Sequence, residues 1–252
     1  MKISKNKWLT CFNAKPDADT NIICFPFGGA GASVYRPWDI ELPDNIRLWS
    51  VQLPGRENRF VEGFTCDYNT VVKGIVDDIV ALGLDNIVLF GHSMGAHIAL
   101  FVAEQLHKNH AIEPLLLAVS GNTPPEANVK TSWSTSTTSQ LRAHLKELGG
   151  IPSEVADNLD FLDMYMEKIR ADYKLYECIP TRDVYTLPIP LLALYGEDDP
   201  LFPTENMKKW DQYTSQNFKL IKFSGAHFYF QQDCRLIVET VCARLDRLST
   251  KN

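Results

Sequence analysis

Gly91-His92-Ser93-Met94-Gly95 sets a serine between glycines, directly after the apolar run Asn86–Phe90 and at the head of an apolar-periodic segment from Met94. On a strand-to-helix turn of this kind a serine is held in a strained conformation with its hydroxyl exposed, and the flanking glycines avoid clashes. The chemistry this predicts is nucleophilic acyl transfer. Such a serine needs a base, and the base an orienting carboxylate, in the chain order Ser, then Asp or Glu, then His. Only His227 of the six histidines lies beyond the later strands, in Ser224-Gly225-Ala226-His227-Phe228 after the run Phe218–Phe223. His92 adjoins the serine but points elsewhere on an elbow, His97, His107 and His110 belong to the following helix or its end, and His144 reads as a surface or packing residue of a lid. The acid belongs to Gly196-Glu197-Asp198-Asp199-Pro200-Leu201. Asp199, three residues past the turn glycine, is preferred and Asp198 is the alternative. A metal site at Glu197–Asp199 has no second ligand cluster to complete it.

An acyl-transfer oxyanion is bound by backbone N–H groups, one from the residue after the nucleophile and one from the loop after an earlier strand. The first is Met94. The second falls in Pro26-Phe27-Gly28-Gly29-Ala30-Gly31-Ala32, where small residues let the main chain approach the reacting carbon; Gly28 is preferred over Phe27. This loop is neither a P-loop nor a dinucleotide fingerprint, since both the lysine motif and the G-x-G-x-x-G spacing are missing.

The elements that must hold these residues follow from apolar periodicity. Asn21–Phe25, Arg47–Leu53, Asn86–Phe90, Leu115–Val119, Pro190–Tyr195 and Phe218–Phe223 read as buried strands. Tyr68–Leu84, Met94–Leu106 and Cys234–Leu248 read as helices between or after them. Alternation of this sort implies an α/β fold, a mostly parallel doubly wound sheet. About residues 126–183 the rhythm breaks. Thr131–Ser139 reads as a loop, and Gln140–Leu148 and Ser153–Tyr176 as helices separated by Gly149-Gly150-Ile151-Pro152. Such an insertion lies over the carboxyl ends of the strands, where ligands bind, and is expected to be a lid.

Composition narrows the class further. The chain has 252 residues, with 25 Lys+Arg against 31 Asp+Glu and a net charge of −6, which disfavours nucleic acid or an anionic membrane as the main partner. No apolar run is long enough to span a bilayer, and Met1–Trp8 is basic without an apolar stretch behind it, so residues 1–252 are expected to form one cytoplasmic domain. The six cysteines are scattered without C-x-x-C spacing and read as buried apolar residues rather than a disulfide framework or zinc site.

Several longer stretches carry a resemblance. They are Cys24–Ser33, Gln52-Leu53-Pro54-Gly55-Arg56-Glu57-Asn58-Arg59, Phe90–Ala96, Gly149-Gly150-Ile151-Pro152, Arg170-Ala171-Asp172-Tyr173, Gly196–Pro200 and Gly225-Ala226-His227-Phe228-Tyr229. In order and over nearly the whole chain, these resemble the type II thioesterases of nonribosomal peptide and polyketide synthesis, and the related medium-chain acyl thioesterase of fatty-acid synthesis. Phe27 stands where relatives often carry another residue, next to the acyl pocket. The resemblance implies an α/β-hydrolase fold and hydrolysis of acyl or aminoacyl thioesters from the phosphopantetheine arm of acyl or peptidyl carrier proteins. It implies no cofactor of the enzyme's own, since the pantetheine belongs to the substrate, and it leans towards a monomer. The rival readings are a medium-chain fatty acyl thioesterase, a general carboxylesterase, and an acyltransferase on the same fold. Arg142, Lys146, Lys168, Arg170 and Lys174 lie in the lid helices and would steer an acidic carrier.

Overall fold

The computed structural model describes residues 7–127, 131–150, 159–180 and 183–249. Ile151-Pro152, the first residues of the Ser153–Tyr176 helix and Met1–Asn6 therefore lie outside the described residues. Seven strands form one sheet: β1 (Leu9–Cys11), β2 (Thr20–Phe25), β3 (Ile46–Val51), β4 (Ile87–His92), β5 (Leu116–Ser120), β6 (Leu191–Gly196) and β7 (Phe218–Phe223). Their order across the sheet is β1-β3-β2-β4-β5-β6-β7. All neighbours are parallel except β1, which pairs antiparallel with β3. β1 has no counterpart in the sequence reading, because three residues on a sheet edge are too short to show a period.

Alternate residues of each central strand enter opposite cores. Ile23, Leu89, Leu117 and Ala193 pack on one face with helices α1 (Tyr68–Ala81) and α2 (Met94–His110). Ile22, Val88, Leu116 and Leu192 pack on the other face with Tyr35, Trp38 and the C-terminal helix α5 (Cys234–Ser249). Burial on both sides accounts for the continuously apolar strands. β2 is flanked by β3 on one side and β4 on the other, so the winding reverses there. The loops leaving β2 and β4 consequently diverge and leave a crevice at their carboxyl ends.

Between β5 and β6 the chain inserts α3 (Thr138–Leu148) and α4 (Leu159–Glu177). The stretch read as a loop over Thr131–Ser139 is shorter in the structure, with a 3-10 turn at Trp133–Thr135 and α3 already under way at Thr138. The cause is a capping box. The Thr137 hydroxyl accepts from the Gln140 N–H at 3.3 Å, and Gln140 Oε1 accepts from the Thr137 N–H at 3.0 Å. The insertion has a small buried cluster of its own, Leu141, Leu145, Tyr165, Met166 and Ile169, separate from both cores of the sheet.

Candidate active site

Ser93 follows the last residue of β4 and precedes the first of α2, with φ 55° and ψ −121°. The turn is possible because of its glycines: a Cβ on Gly91 would stand 2.2 Å from the Gly95 carbonyl oxygen, and one on Gly95 2.2 Å from that of Phe25. The strained serine is pinned from both sides, its N–H donating to the Ser120 carbonyl at 2.8 Å and its carbonyl accepting from Asn122 Nδ2 at 3.0 Å. Its hydroxyl donates to His227 Nε2 at 3.1 Å, and His227 Nδ1–H donates to Asp199 Oδ2 at 2.7 Å. An ionised carboxylate only accepts, so this partner keeps the proton on Nδ1 and leaves Nε2 as the acceptor.

Of the three successive carboxylates, Glu197 is exposed and paired with Lys222 at 2.6 Å, Asp198 is exposed, and Asp199 alone turns inward. The acid loop and the base loop touch through main chain. Glu197 N–H donates to Phe223 O at 2.8 Å and Asp198 N–H to Gly225 O at 3.0 Å. The approach requires Gly196, whose Cβ would fall 2.4 Å from the carbonyl oxygens of Gly225 and Ala226. The remaining Asp199 oxygen accepts from the Leu201 N–H at 3.0 Å.

His92 lies fully buried under the site, its ring 5.0 Å from that of His227. Burial pushes its pKa well below the usual histidine value, and nearby His227 adds to this. It shares a hydrogen bond with the Ser120 hydroxyl at 2.9 Å, which in turn pairs with the Tyr229 hydroxyl. A neutral His92 puts no cation against His227 when that ring takes up a proton.

The loop after β2 is arranged by two buried charges. Asp172 of α4 and Arg56 are joined by two contacts, Oδ1 with Nη2 at 2.6 Å and Oδ2 with Nη1 at 2.7 Å. Asp172 also accepts from the Gly29 N–H at 2.6 Å, and Arg56 donates to the Ala30 carbonyl at 2.8 Å. Gln52 Oε1 accepts from the Ala32 N–H at 2.9 Å, and Glu57 holds the Ser33 hydroxyl at 2.7 Å. Gly29 has φ +86° and packs under Ile169, whereas a Cβ on Gly28 would meet only Asp172 Cβ at 3.7 Å. Because the Gly29 amide is taken by Asp172, Gly28 and Phe27 are the loop residues left beside Ser93. Met94 opens α2, so its N–H has no acceptor within the helix. Phe27, Gly28, Ser93, Met94 and His227 all border one cavity of about 310 Å³.

The insertion supplies the opposite wall with Trp133, His144, Leu145, Ile169, Tyr173 and Tyr176. The sequence places His144 at the surface or in packing of the lid, whereas in the structure it borders the cavity together with Tyr173. The signal for His144 was its place with Leu141, Leu145 and Leu148 on the apolar face of α3. Tyr35 and Trp38 are core, and the Tyr165 hydroxyl donates to the Gly150 carbonyl at 2.7 Å. Arg170 donates to the carbonyls of Ser134 and Ser136 at 3.2 and 2.7 Å, so it braces the insertion. All six cysteines are free thiols, but only Cys24 is buried and Cys178 is exposed, against the reading of all six as buried apolar residues. Among the described residues no His, Cys, Asp and Glu cluster could hold a metal ion. No helix of the described residues is long and apolar enough to cross a membrane.

The strand order, the serine elbow after β4 and the helical insertion after β5 define an α/β-hydrolase. The model of the thioesterase domain family matches residues 20–247, and the chain belongs to that family. Among its relatives, the gramicidin S biosynthesis protein GrsT of Aneurinibacillus migulanus is 27% identical, over 95% of this chain and 94% of that protein. The medium-chain S-acyl fatty acid synthase thioesterase of Rattus norvegicus is 30% identical, over 90% and 87% of the two chains. In structure the chain is similar to the type II thioesterase BorB of the borrelidin biosynthetic cluster, with a TM-score of 0.85 and 28% identity over 94% and 97% of the chains. The protein is accordingly an enzyme that hydrolyses thioesters.

Proposed function

We propose that the enzyme removes acyl groups from the phosphopantetheine arm of carrier proteins in a nonribosomal peptide or polyketide assembly line, with Ser93 as nucleophile, His227 as base and Asp199 as its orienting acid. The observation that carries this is the hydrogen-bonded chain from Asp199 through His227 to Ser93, opening on an acyl-sized cavity in a thioesterase-family chain. His227 Nε2 takes the Ser93 proton as Oγ attacks the thioester carbon. The oxyanion rests on the N–H groups of Met94 and Gly28, and the pantetheine thiolate leaves with the proton from His227. Water, deprotonated by His227, then attacks the acyl-Ser93 ester; the bond from the acyl carbon to Ser93 Oγ breaks, His227 returns the proton to Oγ, and the free acid is released. No cofactor takes part in these steps.

Relatives named for gramicidin S and borrelidin pathways support the assembly-line setting. The reading takes residues 1–252 as one domain with 126–183 as lid. Of the lid cations, Arg142, Lys146 and Lys174 are exposed, and half-buried Lys168 lies 5.0 Å over the Tyr165 ring. These four, rather than Arg170, are the groups to steer an acidic carrier. Reversing the charge of Lys174 is expected to slow carrier-bound substrate and spare a short pantetheine thioester; equal loss on both would remove the docking role.

The deciding experiment is the intact mass of acyl-loaded carrier proteins before and after incubation with wild type and with Ser93→Ala. Unloading to the free carrier by wild type alone supports the reading. Carriers that stay loaded while an aryl ester is cleaved would replace it with an esterase.

A further inference from the structure

Several polar groups bordering the cavity are already engaged by neighbouring residues. Both Asp172 oxygens are engaged by Arg56, and one also by the Gly29 amide. The Tyr176 hydroxyl donates to Asn122 Oδ1 at 3.1 Å, the Thr123 carbonyl accepts from His97 at 2.7 Å, and the Thr131 hydroxyl donates to Glu177 at 3.1 Å. His144 differs from these. It is 8% exposed and its ring stacks on Trp133 with centroids 4.0 Å apart and planes 8° from parallel. Nε2 shares a hydrogen bond with the Tyr173 hydroxyl at 2.8 Å, while Nδ1 has no partner among the described residues.

The ring is held in place as well as unspent. Trp133 sits in the turn that Arg170 grips through the Ser134 and Ser136 carbonyls, and α3 is started by the Thr137–Gln140 box. Burial lowers the His144 pKa, so at neutral pH the ring is uncharged and presents one further hydrogen-bonding nitrogen. An alkyl chain packed against that nitrogen would strip its water and return nothing. A hydroxyl satisfies it in either tautomer, and an oxo group satisfies the Nδ1–H tautomer. An ammonium group would need a carboxylate, and the one bordering the cavity, Asp172, is saturated.

We propose that His144 reads the acyl chain: its unspent ring nitrogen hydrogen-bonds a hydroxyl or oxo group, so the enzyme favours hydroxyacyl and oxoacyl thioesters over plain alkyl thioesters of equal length. This inference rests on the thioesterase reading above. It goes beyond it by naming the substrate class and the residue that selects it.

The test is a set of pantetheine thioesters of one length: octanoyl, its 3-, 5- and 7-hydroxy and oxo analogues, and 2-aminooctanoyl. Each is assayed with wild type, His144→Leu and His144→Gln. The readout is the ratio of kcat/KM for each substituted chain to that for octanoyl within one variant, so a partly unfolded preparation scales both rates and cancels. Wild type is expected to favour the best-placed oxygen substituent by roughly five- to tenfold, the scale of one neutral hydrogen bond. His144→Leu should bring that ratio to one or below, and His144→Gln should retain part of it. No preference at any position, a ratio unchanged in His144→Leu, or a preference for 2-aminooctanoyl would each overturn the inference while leaving thioester hydrolysis standing. If no thioester in the set is hydrolysed in a Ser93-dependent manner, the functional reading falls and takes the inference with it.

Discussion

Gly28, Ser93, Asp199 and His227 stand at the carboxyl ends of β2, β4, β6 and β7 and are placed by main-chain hydrogen bonds and by glycines whose positions admit no side chain. Trp133, His144 and Tyr173 reach the same cavity from the insertion, which rests on the separate cluster around Leu141, Leu145 and Ile169 and on side-chain ties such as Asp172–Arg56, Arg170–Ser136 and Ser134–Glu177. Backbone of a buried parallel sheet cannot shift without breaking several strands at once, whereas a wall held by side-chain contacts can be rebuilt by a few substitutions. Chemistry is therefore carried by the rigid region and acyl selection by the adaptable one. The Arg56–Asp172 pair is the exception, because it belongs to both: it anchors α4 and shapes the loop that contains Gly28.

The sharpest break of this comparison is in the sheet-borne region. Ser93→Ala is expected to lower kcat by several orders of magnitude, on the scale of ~10⁶ for a removed triad nucleophile, with an unchanged melting temperature. Single-turnover assay and calorimetry together check both halves.

The shared pair should show in both readouts. Asp172→Asn leaves a buried guanidinium without its carboxylate, at a cost of about 3–5 kcal/mol in urea unfolding. Because the Gly29 amide loses its anionic acceptor, kcat should fall as well. The double variant Arg56→Met/Asp172→Leu should recover much of the stability, since neither charge is then left unpaired.

His97 sharpens the contrast through pH. It is fully buried on α2, donates to the Thr123 carbonyl, and burial lowers its pKa from 6.5 to about 4. The unfolded chain takes up this proton near 6.5 and the folded protein only near 4. Stability from this group is therefore complete above pH 6.5 and is lost as pH falls across that window, by roughly 3 kcal/mol at the low end. Urea midpoints measured along this window should drop with acid in wild type and drop less in His97→Gln.

The smallest effect separates neighbours within one loop. Gly28→Ala meets only an ordinary contact at 3.7 Å and should leave melting temperature close to wild type, while Gly29→Ala puts a methyl 2.3 Å from Ile169 at positive φ and should lower it clearly. Equal loss in both variants would mean that the loop tolerates no added bulk anywhere, contrary to the packing described.

Much of this organisation was legible in the chain because it rests on local pattern. Buried strands such as Asn86–Phe90 are continuously apolar, and the Gly91–Gly95 turn has few residues that could occupy it. β1 was not legible, since it exists through pairing with β3 and three residues carry no period. The start of α3 was hidden in a Ser/Thr-rich stretch whose Thr137–Gln140 box only reads as a cap once the helix is seen.

From sequence alone come the strand-helix alternation, the serine elbow and the order of serine, acid loop and histidine, because periodicity and turn chemistry act over a few residues. Tertiary structure decided what depends on distance between remote segments. It turned Asp199 rather than Asp198 toward His227 by docking the β6 loop on the β7 loop, and it engaged the Gly29 amide with Asp172 from 143 positions away. It also brought His144 from the apolar face of α3 to the wall facing Ser93. Local pattern names the candidates, the spacing after Gly196 for Asp199 and the apolar face of α3 for His144, but each contact joins segments remote in the chain and forms only when the fold brings them together.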